Sequence, residues 1–126
     1  MMKIKFKGKI LFLDVRKTGF LSKYFGLMFK SKQTDNLLFE FSKTENGAIH
    51  SFFVFFEFLA VWLDKDNNVL ELKIVKPFTL FVKPMIRADK LVEIPLNYRN
   101  KRIINLLVGK KKDLNIHEHK FRESKR

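Results

Sequence analysis

Phe55-Phe56-Glu57-Phe58-Leu59-Ala60-Val61-Trp62-Leu63, then Asp64-Lys65-Asp66-Asn67-Asn68, then Val69-Leu70-Glu71-Leu72-Lys73-Ile74-Val75 is the stretch whose reading decides the fold. Its first limb is dense in Phe, Val and Trp, side chains that fill a pleated, buried surface better than a helix. Its middle is Asp and Asn, which bond to nearby backbone and tolerate positive φ, as a tight turn requires. Its last limb resumes apolar and polar alternation. Together these features predict a β-hairpin from about Phe55 to Val75. The apolar density reaches back further, so Ala48 to Leu63 reads as two joined strands or one long bent one.

Outward from this hairpin, the pattern stays mostly extended. Polar and apolar residues alternate from Lys3 to Lys7, and Ile10 to Val15 is apolar apart from Asp14, with Gly8 as punctuation between the two runs. Phe20, Leu21, Tyr24, Phe25 and Met28 recur at helical spacing and predict a short helix. Leu37 to Phe41 is β-prone, and Thr44-Glu45-Asn46-Gly47 supplies a turn. Pro77 and Pro84 bracket Phe78 to Val82, which makes that piece an edge strand or an extended connection. Lys90 to Pro95 is a further strand, and Tyr98 to Val108 fits an amphipathic helix that runs on into a last strand. The expected fold class is mostly β (α+β): a small barrel-like mixed or antiparallel sheet with one or two short helices. Residues 1–109 form one compact domain, and 110–126 form a basic tail with Leu114, Ile116 and Phe121 as its only sizeable apolar groups.

The composition bounds what such a domain does. With 126 residues, 46% hydrophobic and 31% charged, the chain is too apolar to be disordered and too polar for a membrane bundle. The absence of cysteine excludes a disulfide framework, a thiolate metal site and a cysteine nucleophile. The lysine-interrupted start lacks a secretory core, and Ala48 to Leu63 is shorter than the roughly 20 residues of a spanning helix and contains His50 and Glu57. A cytoplasmic protein without a membrane segment is expected.

The net charge of +13 is unevenly placed. Residues 1–33 carry nine basic and one acidic side chain, residues 34–98 seven and nine, and residues 99–126 ten and three. Such segregation favours a polyanion if the fold brings both ends together. Compositional drift and solubility are competing explanations, since twenty of the twenty-six basic residues are Lys.

Catalytic constellations are scarce. His50 stands beside Ser51, but adjacent strand residues point to opposite faces, and no third convergent partner is found. His117-Glu118-His119 lies in the tail without a further ligand of suitable spacing. Asp64 and Asp66 read as turn formers, and Glu40, Glu71 and Glu93 as solvent-facing strand residues. The five glycines form no phosphate loop. No catalytic residue, metal ligand or cofactor is predicted.

The leading expectation is therefore a domain acting through its surface, binding nucleic acid or another acidic partner. Its candidate residues are Lys3, Lys5, Lys7 and Lys9, sharing one face at period two opposite Ile4 and Phe6, together with Arg99, Arg102, Lys110, Lys111 and Lys112. A lysine row also blunts an edge strand, and most of the fifteen Phe read as core rather than stacking platforms. The alternatives are a small-molecule or peptide pocket at the barrel mouth near Met28, His50 and Phe78, and an enzyme whose site forms on oligomerisation.

Several pieces in order carry a family resemblance: Phe25-Gly26-Leu27-Met28-Phe29, Asn36 to Phe41, Ile49 to Phe56, Val61-Trp62-Leu63-Asp64, and Ala88 with Val92-Glu93-Ile94-Pro95. Over roughly Val15 to Val108 the chain resembles the domain of unknown function 192 family, its archaeal-type members most closely. The resemblance implies a compact, mostly β fold with a small barrel-like sheet and no established reaction. It also implies departures. The family usually has a basic residue at Phe55 and an aspartate at Leu59, preceded by a proline at the position of Glu57, and both charges are missing together, as expected if the two form an internal ion pair in the family. Asn97 stands where the family often has glycine, and would keep the turn by entering left-handed geometry.

Overall fold

The structure is a computed structural model, and it describes residues 1–17, 30–42, 47, 54–79 and 82–109. In chain order the elements are β1 (Met2–Phe6), β2 (Lys9–Leu13), β3 (Arg16–Lys17), β4 (Leu37–Glu40), β5 (Phe58–Leu63), β6 (Val69–Val75), β7 (Lys90–Pro95), a 3-10 turn (Tyr98–Asn100) and α1 (Lys101–Val108). Strands β3-β4-β7-β5-β6 form one sheet in that order, and β1-β2 form a second. The larger sheet is mixed, because β3 runs parallel to β4 while the other neighbours are antiparallel. The mostly β, α+β class expected from the sequence is what forms.

The barrel does not. Strands β3 and β6 lie at opposite ends of the larger sheet, and the β1–β2 hairpin is a sheet of its own. Closure needs a continuous staggered seam of hydrogen bonds. A β3 of two residues offers none, and among the described residues β1 packs against β6 but pairs with that side only at the preceding turn, where Lys5 and Asn68 form an isolated bridge.

All six residues of β5 are buried, because apolar layers cover both faces of its sheet. Leu59, Val61 and Leu63 pack with Ile4, Leu11 and Leu13 of the hairpin, Val92 and Ile94 of β7, and Ile104 and Leu107 of α1. Phe58, Ala60 and Trp62 point the other way, into a cluster with Leu37, Phe39, Val54, Phe56, Val75, Ala88 and Leu91. Each fully buried large apolar side chain contributes about 1.5–3 kcal/mol relative to exposure, so this doubly covered strand is the centre of stability. The Trp62 indole N–H, also buried, donates to the Gly47 carbonyl at 2.9 Å. Gly47 has φ +82, and a Cβ there would press on Pro84 and the Trp62 ring nitrogen at 3.3 Å, so only glycine sits without strain.

The β5–β6 hairpin closes as its residue types predict. Asp64 Oδ1 accepts from the backbone N–H groups of Asp66 and Asn68, and Oδ2 accepts from the Asn68 side chain, each at 2.9 Å. Desolvation acts upward on the Asp64 pKa, but these hydrogen bonds and the nearby Lys5 outweigh it and hold the carboxyl below its ordinary value. Asn67 takes φ +67.

Other expectations are met in part. Tyr98 to Val108 is helical to its end, first as the 3-10 turn and then as α1, and stops at Gly109 with φ +88 rather than passing into a strand. Pro77 and Phe78 form a turn, with Phe78 at φ +61, instead of starting an edge strand. The helix predicted around residues 20–28, most of the extended run from Ala48, and the tail 110–126 lie outside the described residues.

Candidate functional site

Lys7 and Gly8 take φ +49 and +77, the two positive values of a tight two-residue hairpin turn, and so set the β1–β2 register. In that register Ile4 faces Leu11 and Met2 faces Leu13, while Lys3 faces Phe12 and Lys5 faces Ile10. The first set turns inward onto the large sheet. The second faces out, leaving Ile10 58% and Phe12 55% exposed.

Because the hairpin and α1 pack on the same face of the sheet, a groove of about 750 Å³ runs between them. Ile10 and Phe12 line one wall, Arg102, Ile103 and Leu106 the other, and Asp14, Arg16, Asp35, Asn36 and Arg99 also line it. The groove is polar-tied at its base. Asn36 Nδ2 donates to the Asp14 carbonyl at 2.9 Å, joining β4 to the chain after β2. Arg99 donates to the carbonyls of Thr34 at 2.8 Å and Gln33 at 3.2 Å, fastening the start of the helical segment to the loop before β4. Asn97 donates to the Lys32 carbonyl at 2.6 Å, and its Oδ1 caps the 3-10 turn by accepting from the Asn100 N–H at 2.9 Å.

Asn97 therefore keeps the turn by a route other than the expected one. Its φ is −131, extended backbone, and its side chain rather than left-handed geometry holds the chain.

The candidate cations divide. Lys3 and Lys5 share the outer face of the hairpin, but the single row of four lysines does not exist: Lys7 lies in the turn, and Lys9 emerges opposite Phe6 on the other face. Two turn residues break the period-two count. The Lys3 ammonium lies 5.7 Å from the Phe12 ring centroid, and that of Lys7 lies 5.1 Å from Phe6. Arg99 and Arg102 both line the groove. Lys110, Lys111, Lys112, Met28, His50 and His117 to His119 are outside the described residues. Phe78 is described, is 51% exposed, and meets the Phe55 ring edge-on at 5.5 Å, away from the groove lining.

Arg16 and Phe12 are site residues that the sequence reading passed over. A strand of two residues has no period to detect, so Arg16 carries no signal of its own. Phe12 did carry one. Ile10 to Leu13 is apolar throughout, but folding it back on Lys3 and Lys5 places Phe12 and Ile10 on the lysine-bearing, outward face.

The opposite side of the sheet holds a second feature. Glu93 of β7 is buried between Leu37 of β4 and Ala60 of β5, and its Oε1 has no hydrogen-bond partner among the described residues. Desolvation pushes its pKa up to about 8. The solvent-facing reading of Glu93 is thus wrong, because β7 is covered on both faces. Glu71 is also mostly enclosed, with Oε1 accepting from the Met85 N–H at 2.8 Å and Oε2 3.3 Å from the Lys73 ammonium. Glu40 is exposed as expected, 3.4 Å from Lys17. At the two positions where the resemblance implies missing charges, Leu59 is fully buried and Phe55 is 59% exposed, so in this chain they occupy different environments.

Among the described residues, no helix is long and apolar enough to cross a membrane. No protein-family model matches the chain. It is 25% identical over 109 residues to a UPF0127 protein of Pyrococcus abyssi, covering 86% of this chain and 87% of that one. It is also similar in fold to a crystal structure of a protein of unknown function from Novosphingobium aromaticivorans, with a TM-score of 0.57 at 13% identity. That match covers 71% of this chain, and the chain spans 66% of the length of that protein. The similar proteins are thus uncharacterised, and the structural likeness shows the fold alone.

Proposed function

We propose that this domain, which resembles the domain of unknown function 192 family, is a binding module for polyanions, with nucleic acid as the concrete case. The observation that carries the reading is the convergence of arginines from the two basic segments. Arg16 from the first basic segment and Arg99 and Arg102 from the last line one groove, with Lys3 and Lys5 on the adjoining hairpin face. Asp14 and Asp35 share the lining and offset part of that charge. Arg102 makes no side-chain hydrogen bond or ion pair within the described residues, so its guanidinium is available to a phosphate.

Binding of this kind is read in its salt dependence, because each neutralised phosphate releases counterions and steepens the fall of affinity with salt by about 0.7–0.9 in log–log slope. Anisotropy of a labelled oligonucleotide across about 50–300 mM salt should show a steep decline of affinity. Arg16→Ala with Arg102→Ala should shallow that slope by about 1–2. A failure to bind at the low end of the range, or a slope the double variant leaves unchanged, rejects the reading.

A further inference from the structure

We infer that the groove takes single-stranded nucleic acid, with a base stacked on Phe12. This rests on the polyanion reading above and adds what that reading leaves open, the form of the ligand.

Charge alone does not account for the walls. A site for phosphate only needs cations and backbone donors, yet this groove exposes Ile10, Phe12 and Leu106, the last 44% exposed, next to its arginines. The hairpin face bearing Ile10 and Phe12 already carries Lys3 and Lys5, so polar residues fit there without disturbing the core. Two large apolar side chains nonetheless stay more than half exposed on a face where no packing among the described residues requires them.

Their arrangement matches an unpaired strand. Exposed aromatic rings interleaved with cations bind single strands, because every base has a π-face and the backbone alongside carries one charge per nucleotide. Phe12 has the Lys3 ammonium 5.7 Å from its ring centroid and lines the same groove as Arg16 and Arg102. In a duplex the π-faces are stacked on one another and closed to Phe12. A groove of about 750 Å³ lies in the range of small-ligand clefts, room for a base or two with their sugars.

Three probes separate the possibilities: a single-stranded oligo(dT), a duplex of the same length, and inorganic polyphosphate. The single strand should bind more tightly than the duplex at equal salt. Phe12→Leu should weaken oligo(dT) binding by about 5- to 100-fold, the range for loss of one stacked base, and leave polyphosphate binding unchanged. Arg102→Ala should weaken both. Phe12→Trp should keep the affinity and report stacking directly, since the new indole is exposed and should be quenched by oligo(dT) but not by polyphosphate. Equal affinities for single strand and duplex, an oligo(dT) affinity unaltered in Phe12→Leu, or an unquenched Phe12→Trp overturns the stacking inference and leaves the polyanion reading standing. An Arg102→Ala variant unaltered toward both anions overturns the polyanion reading itself.

Discussion

Glu93 places a carboxyl where ionisation is most costly, enclosed by Leu37 and Ala60 with one oxygen unpartnered among the described residues. Its pKa stands near 8 in the fold against an ordinary value of 4.5, with desolvation as the cause. Between those values the folded state keeps a proton that the unfolded state gives up. Stability from this group is therefore complete at acid pH, falls as pH rises through the window, and levels off above about 8. Thermal unfolding should show a midpoint that declines from about pH 5 to pH 8.5, and Glu93→Gln, which cannot ionise, should flatten the decline and raise the midpoint at the alkaline end. A slope identical in the variant assigns the pH dependence to other groups. The residue was visible in the sequence and misread for a physical reason. Alternation assigns a lone polar residue to solvent, but Leu91-Val92-Glu93-Ile94-Pro95 does not alternate, and a strand apolar on both sides of a Glu is buried on both faces.

The elements that were legible are the ones whose determinants are local. Asp64 to Asn68 carries its own turn chemistry, and the flanking strands formed as β5 and β6; β1, β2, β4 and β7 likewise follow from short runs bounded by turn residues. What could not be read is order in space. β7 inserts between β4 and β5, and β3 pairs in parallel with β4, both long-range choices made by burial rather than by neighbouring residues. The groove inherits that limit: Arg99 and Arg102 were identifiable as exposed cations, but their convergence with Arg16 and Phe12 depends on two elements packing side by side. Asn67 is where a local signal does long-range work. It takes φ +67, donates to the Lys3 carbonyl at 2.9 Å, accepts from the Lys90 ammonium at 2.7 Å, and its carbonyl accepts from the Lys5 N–H at 2.9 Å. Asn67→Ala should lose both side-chain bonds and strain the backbone, costing about 1–3 kcal/mol in urea unfolding. Asn67→Gly loses the same bonds but relieves the φ, so it should cost less. Equal losses would place the whole effect in the side-chain bonds, one to the hairpin and one to β7.

At the scale of the molecule, a net charge of +13 on 126 residues acts against the compact state that the core holds together. Among the described residues part of that repulsion is local, because Lys3, Lys5, Lys7 and Lys9 share the hairpin while Arg16, Arg99 and Arg102 line the adjoining groove. Added salt screens it, with the Debye length shrinking to about 10 Å at 0.1 M. The unfolding midpoint at fixed pH should therefore rise as sodium chloride is added, by about 3–6 °C for each 1 kcal/mol of repulsion relieved, and should plateau once neighbouring cations are screened. Lys3→Glu with Lys5→Glu lowers the net charge from +13 to +9 at exposed positions and should start from a higher midpoint and gain less from salt. The opposing contribution is small. Lys17 to Glu40 at 3.4 Å and Arg87 to Asp89 at 3.8 Å are ion pairs between exposed side chains, and such pairs contribute about 0–1 kcal/mol each, also screened. A midpoint that falls with salt would mean that attraction across such pairs outweighs repulsion among the gathered cations, and the groove would then lack the positive field on which its capture of a polyanion depends.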